Sequence, residues 1–232
     1  MHLVLFDIDG TLLRTDGAGR EAMMRTLAAH FGRPFGFDAV SFSGKTDPQI
    51  FREILTLAGH DGDQIDAELP ALLDAYTEMM LAGLTAARIT VLPGVPEAVA
   101  TLARRDDVLL GLVTGNVERV AFAKLDLVGL AAPFVHAERL LGGFGSDSGH
   151  RPDLPGIALE RAHAVTPHRF NGERVWIVGD TPHDLHCGRG IGARAVGVAT
   201  GHYTRADLDG HGAALLLDDL SDVTPLAHLF QI

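Results

Sequence analysis

One cysteine, Cys187, stands in 232 residues. No internal disulfide is possible, and a lone thiol suits a reducing compartment. Lysine is scarce as well: of 19 Lys and Arg residues, only Lys45 and Lys124 are lysines. Long apolar runs are missing. The N-terminal run Leu3-Val4-Leu5-Phe6 is short and lacks a basic flank, so no signal peptide is expected. No stretch approaches transmembrane length, and the expected address is the cytoplasm. A basic excess is missing too: the formal net charge of -11 argues against nucleic acid or an anionic membrane surface as partner. What is present, 47% hydrophobic and 21% charged residues, is a globular composition. The length suits one α/β domain with a modest insertion. No repeat or low-complexity segment breaks the chain.

The most informative segment is Asp7-Ile8-Asp9-Gly10-Thr11, directly after that first apolar run. A short apolar run ended by a glycine-containing break predicts a buried strand emptying into a loop. Residues two apart on extended chain share a side, so both carboxylates can face one pocket. Two close, unpaired carboxylates repel each other, so a bound cation or a retained proton is expected. Taken alone, Asp-Gly is also a common turn dipeptide. Two further runs repeat the arrangement. Val175-Trp176-Ile177-Val178 empties into Gly179-Asp180-Thr181-Pro182-His183-Asp184, and Val108 to Val113 empties into Thr114-Gly115-Asn116. In open α/β sheets ligands sit outside the strands' carboxyl ends, where all three clusters would lie.

These three segments, in this order, resemble three of the four signature motifs of the haloacid dehalogenase superfamily. Essentially the whole chain resembles the branch that holds phosphoglycolate phosphatase and β-phosphoglucomutase. The resemblance implies an α/β fold, a doubly wound Rossmann-like parallel sheet core with an inserted α-helical cap. It also implies an Mg²⁺-dependent phosphatase of a small phosphorylated metabolite. On that reading Asp7 is the nucleophile, forming an aspartyl-phosphate, and Asp9 is the general acid and base. Mg²⁺ prefers hard oxygen ligands, which Asp7, Asp180 and the backbone carbonyl of Asp9 would supply. Asp184 would either ligate the metal or hold a coordinated water. Thr114, with the backbone N–H groups of Gly115 and Asn116 at a helix start, would cradle phosphoryl oxygens.

The fourth motif departs from the family pattern, which usually carries a lysine followed by proline. Here Arg151-Pro152 follows the glycine-rich loop 142–149. Arginine stays charged, and its planar fork can hold a phosphate through two bonds. Ser43-Gly44-Lys45-Thr46-Asp47 falls between two expected cap helices, where related enzymes place a loop facing the active site. Lys45 is the candidate reader of a remote anionic group on the substrate, and Asp47-Pro48 suits a helix start.

The periodicity places the cap at 14–90 and the core at 1–13 and 91–232. Three helical stripes run through the insertion: Met24, Leu27, Ala28 and Phe31; Ile50, Ile54, Leu57 and Ala58; and Leu69, Leu72, Leu73, Tyr76 and Met80. No strand is expected there. Beyond it, helices are expected near Val95–Arg104, Glu118–Leu127, Leu154–Ala164 and Leu185–Gly190. Strands alternate with them at Val108–Val113, Phe134–His136, Val175–Val178 and Ala195–Val198, implying parallel pairing through right-handed crossovers.

Other patterns carry less. Gly188-Arg189-Gly190-Ile191-Gly192-Ala193 imitates a dinucleotide fingerprint, yet it ends a helix where that fingerprint must open one. His183, His186 and Cys187 lie at one-turn spacing without a third placed ligand, so they read as surface or capping residues. A dehalogenase or phosphonate hydrolase on this fold would lack the second carboxylate that Asp9 supplies. A phosphomutase would use the same Asp7 and Asp9. A non-catalytic receiver or sensor would also combine acids, a threonine and a base, but needs no helical insertion.

Overall fold

The structure, a computed structural model, describes residues 1–230. In chain order the strands are β1 (His2–Phe6), β2 (Leu13–Arg14), β3 (Thr90–Val91), β4 (Val108–Thr114), β5 (Val135–His136), β6 (Arg139–Leu140), β7 (Gly142–Phe144), β8 (Val175–Gly179), β9 (Arg194–Val198) and β10 (Leu215–Leu217). The helices are α1 (Ala18–Phe31), α2 (Asp47–Leu57), α3 (Gly62–Gly83), α4 (Val95–Ala103), α5 (Glu118–Asp126), α6 (Leu154–Val165), α7 (Pro182–Cys187), α8 (Arg205–Leu208) and α9 (Thr224–Leu229).

Six strands form one sheet in the order β10-β9-β8-β1-β4-β7, every pair parallel. Parallel sheets are covered on both faces, so their strands read as continuous apolar runs, and β1 and β8 are buried at every position. Successive side chains of β1 serve opposite faces. Val4 and Phe6 pack in one cluster with Val99, Leu102 and Val120, while Leu3 and Leu5 pack in another with Leu154, Ala158 and Ala162. From β1 the chain builds outward through β4 to β7, then returns to β8 on the other side of β1. The strand order reverses there, so the crevice at the carboxyl ends of β1, β4 and β8 is the switch point where such sheets bind ligands.

Three helices, α1 to α3, occupy the insertion, as the stripes implied. Local chemistry fixes their starts. Thr46 caps α2 by accepting from the Gln49 N–H, with Pro48 in the first turn, and Asp61 forms a capping box with Gln64 on α3. Two stripes are rotated from expectation. On α1 the buried pair is Met23 and the expected Leu27, one turn apart, while Met24 is exposed; on α2 the expected Ile50 and Ile54 are buried together with Phe51 and Leu55, while Leu57 is exposed. Adjacent apolar residues leave the phase of a short stripe open until the packing partner is known.

Four other expectations need correction. Leu13–Arg14 and Thr90–Val91 pair as a two-stranded antiparallel ribbon at the two ends of the insertion, where no strand was expected. Phe134 lies in a 3₁₀ turn, and Val135–His136 pairs only with β6 outside the main sheet. One of the sheet's two edge strands is β7, inside the glycine-rich segment read as a loop; the other is β10. The last expected helix begins three residues earlier, at Pro182, and ends at Cys187 before a 3₁₀ turn over Gly188–Ile191. Gln231 and Ile232, the end of the expected core, lie outside the described residues. Among the described residues no helix is long and apolar enough to cross a membrane.

Candidate active site

Asp7 follows β1, Thr114 ends β4, and Asp180 follows β8, so three neighbouring strands deliver three motifs to one crevice. Gly10 makes the first turn possible. Its φ is +90°, and a Cβ there would lie 2.4 Å from Asp180 Oδ2. Thr11 Oγ1 donates to Asp180 Oδ1 at 3.1 Å, and Thr200 Oγ1 donates to the Gly10 carbonyl at 2.6 Å. Thr181 caps α7, and its N–H and Oγ1 donate to Asp184 Oδ2 at 3.0 and 2.7 Å. Asp184 is thereby held under the first two acids.

Asp7, Asp180 and Asp184 are all buried, and each offers a carboxylate oxygen within 4.8 Å of the others'. Arg151, only 4% exposed, donates through Nη2 to Asp7 Oδ1 at 3.1 Å and to Asp184 Oδ1. It arrives on a 3₁₀ turn over Arg151–Asp153, immediately before α6. Three carboxylates against one guanidinium leave a formal excess of two negative charges. Burial pushes the Asp7 carboxyl well above the ordinary carboxylate range, and the neighbouring Asp184 raises it further against the pull of Arg151. Asp180 is raised as well, first by burial, then by Asp184 and Asp7. A donor set of hard oxygens with this excess fits a divalent cation, which would relieve the repulsion. Both Asp184 oxygens already accept hydrogen bonds, from Arg151 and Thr181, so its geometry suits support of the other two acids.

Asp9 stands apart from this cluster. Its side chain is 43% exposed, and Lys124 Nζ donates to both of its oxygens, at 2.8 and 2.7 Å. Asn116 Nδ2 donates to Asp9 Oδ2 at 2.7 Å and to Thr114 Oγ1 at 2.8 Å. The side chain of Asn116 therefore engages Asp9, whereas the sequence suggested only its backbone N–H. Helix α5 starts at Glu118, two residues beyond Asn116.

The loop before α2 closes the crevice from the other side. Thr46 Oγ1 donates to the Gly149 carbonyl at 2.7 Å, and the Asp47 N–H donates to the Gly115 carbonyl at 2.8 Å. A Cβ on Gly115 would lie 2.0 Å from the Lys45 carbonyl, so only glycine permits this approach. The Asp47 carboxylate is buried and accepts from the Val117 N–H at 3.0 Å and Tyr76 OH at 3.3 Å. Burial pushes its pKa up to about 6 although Lys124 opposes the shift. Lys45 lines the crevice, but its Nζ pairs with Glu53 Oε2 at 2.5 Å. The half-open crevice measures about 640 Å³ and is bounded by Asp7, Asp9, Lys45, Asn116, Lys124, Arg151 and Asp180 among others. A larger surface groove of about 1180 Å³, lined by Phe122, Leu127 and Val135 among others, contains no motif residue.

The crevice brings together Asp7, Asp9, Thr114, Asn116, Arg151, Asp180 and, at its rim, Lys45. The sequence reading missed Lys124 and the docking role of Asp47. One signal for Lys124 was available. It is one of two lysines, and it falls on the same helical face as Val120, Ala121 and Leu125, a face otherwise buried.

A family model described as haloacid dehalogenase-like hydrolase matches residues 4–189. The chain belongs to that family. Protein CbbY of Cereibacter sphaeroides is 29% identical over 99% of this chain and 96% of its own. Phosphoglycolate phosphatase of Cereibacter sphaeroides (strain ATCC 17029 / ATH 2.4.9) is 30% identical over 95% and 96%. Among solved structures, β-phosphoglucomutase from Clostridium difficile superposes with a TM-score of 0.71 at 16% identity, covering 100% of this chain and 97% of that one, a likeness of fold. With such relatives the chain is an enzyme of the phosphoric monoester hydrolase class.

Proposed function

We propose that this enzyme is an Mg²⁺-dependent phosphatase that hydrolyses a small phosphorylated metabolite through an aspartyl-phosphate on Asp7. The buried cluster of Asp7, Asp180 and Asp184, closed on one side by Arg151, carries this reading. Phosphate monoesters resist attack because their oxygens repel nucleophiles and the leaving alkoxide is poor. A bound divalent cation would be held by Asp7, Asp180 and the Asp9 backbone carbonyl, with Asp184 as ligand or support, and would neutralise phosphoryl charge.

The chain's own groups account for the remaining steps. Asp7, fixed by Arg151, attacks phosphorus. Thr114 and the N–H groups of Gly115 and Asn116 hold the phosphoryl oxygens, and the Arg151 guanidinium offsets their charge. Asp9 gives its proton to the leaving oxygen, then takes one from the water that hydrolyses the aspartyl-phosphate. Residues 14–90 act as the cap: the docking of Thr46 and Asp47 on the core excludes bulk water, and Lys45 faces the part of the substrate that leaves. The small crevice and the chain's acidity support a small-molecule substrate, without nucleic acid or membrane, and the lone cysteine supports a cytoplasmic address.

A phosphatase screen over sugar phosphates, phosphoglycolate and nucleotides, with Mg²⁺ or EDTA, tests the reading. Release of phosphate from at least one compound, silenced by EDTA and restored by Mg²⁺, is expected. Undiminished turnover in EDTA refutes the metal role, and isomerised sugar phosphate without net phosphate release would establish a mutase instead.

A further inference from the structure

Lys124 is buried at 3% exposure, yet it projects from α5 into the crevice rather than away from it. An ammonium group carries three hydrogens, and Lys124 Nζ has three acceptors within 2.8 Å: both Asp9 oxygens and Asn116 Oδ1, the last at 2.6 Å. Asn116 completes a ring by donating from Nδ2 to Asp9 Oδ2. No donor of Lys124 is left for a substrate, and no other charged group bonds Asp9 among the described residues. The ring joins residues 115 positions apart in the chain, so it depends on the fold and not on local turn chemistry.

We propose that Lys124, with Asn116, is a positioning residue that fixes the Asp9 carboxyl in one orientation for proton transfer, a role that rests on Asp9 being the general acid and base. The alternatives are a purely structural counter-charge, since Lys124 also faces the buried Asp47, and direct binding of substrate anion. The choice of lysine fits the positioning role. The chain uses arginine at 17 of its 19 basic positions, and a planar guanidinium cannot direct three donors tetrahedrally at one carboxylate and one amide. Removing the clamp frees Asp9 to rotate on its exposed side. The proton donor is then misplaced while Asp7 and Arg151 are untouched.

Two aryl phosphates separate these roles. Phenyl phosphate has a poor leaving group and needs the acid, whereas p-nitrophenyl phosphate does not. Lys124→Met should lower kcat/KM for phenyl phosphate about 10–100-fold, part of the usual 10²–10⁴ of general-acid catalysis, and for p-nitrophenyl phosphate far less. In an Asp9→Asn background the same substitution should change kcat/KM less than about threefold, because the two residues act as one unit. Equal losses on both substrates, or undiminished loss in the Asp9→Asn background, overturn the proposal. Should Lys124→Met fail to fold, Lys124→Arg keeps the charge that Asp47 faces and should show the same substrate split; normal rates on phenyl phosphate would overturn it. A readout independent of turnover uses the two-lysine composition. With ¹⁵N-lysine, one Nζ signal should be exchange-protected and should move on Asp9→Asn substitution. An unmoved signal contradicts the ion pair even if no aryl phosphate is turned over, a result that would count separately against the phosphatase reading.

Discussion

Replacing Arg151 by methionine tests the least expected member of the site. The guanidinium is nearly inaccessible and bonds two carboxylates that are themselves 8% and 0% exposed. Methionine fills most of the volume, so the loss is electrostatic: two buried acids keep their positions without a counter-charge. Removing one partner of a buried ion pair costs about 3–5 kcal/mol. For a chain of this size about 2–4 °C accompanies each kcal/mol, so Arg151→Met should melt about 6–20 °C lower in EDTA near pH 8. The sign with pH follows from Asp7. Its folded-state pKa is already raised by burial and by Asp184, and loss of Arg151 removes the main opposing influence. A raised carboxyl contributes stability below its unfolded pKa, and that contribution is lost as pH rises through the folded value. The deficit should therefore shrink when melting is repeated near pH 5.5, where Asp7 keeps its proton. Differential scanning fluorimetry at both pH values in EDTA reads this directly. A melting point within about 2 °C of the parent near pH 8, or a deficit that grows on acidification, would refute the electrostatic account.

Three further outcomes are expected. Mg²⁺ at a hundredfold excess over its Kd should stabilise the parent by about 2.7 kcal/mol, and Asp180→Asn should abolish that thermal shift; an equal shift in the variant would remove Asp180 from the metal site. Asp9→Asn should keep the shift, since the backbone carbonyl is unchanged, but lose about 10²–10⁴ in rate on an alkyl phosphate, so near-normal turnover would contradict its role. Lys45→Ala should lower kcat/KM for the anionic substrate found by the screen while sparing p-nitrophenyl phosphate, because remote contacts help only substrates that possess the remote group. Equal losses on both would show that Lys45, paired with Glu53, serves the loop alone.

The carboxyl-end clusters were legible because each is a local signal: an apolar run, a break, then Asp7, Thr114 or Asp180 within a few residues. The order of those runs along the chain was enough to anticipate a parallel sheet. Arg151 was legible only through the family pattern, for its partners Asp7 and Asp184 lie 144 and 33 positions away. Strand β7 was hidden because Gly142-Gly143-Phe144 lacks the β-branched residues that mark a strand, and its place comes from pairing with β4. Met23 displaced Met24 because two adjacent methionines fit a helical stripe about equally until α3 supplies the facing surface. Asp47 and Lys124 were obscured for a common reason. Each is a charged residue on a helix, ordinarily solvated, whose burial follows from how two elements distant in sequence meet.

The central claim is that Asp7 carries the phosphoryl group. Quenching the enzyme during turnover of a substrate from the screen, reducing with borohydride and sequencing the N-terminal peptide by mass spectrometry tests it most directly. An acyl phosphate is reduced to the alcohol, so homoserine at position 7 is expected in the parent and absent from Asp7→Asn, which should also be inactive. Reduction product at Asp9 or Asp180 instead, or brisk turnover by clean, folded Asp7→Asn, would contradict the account.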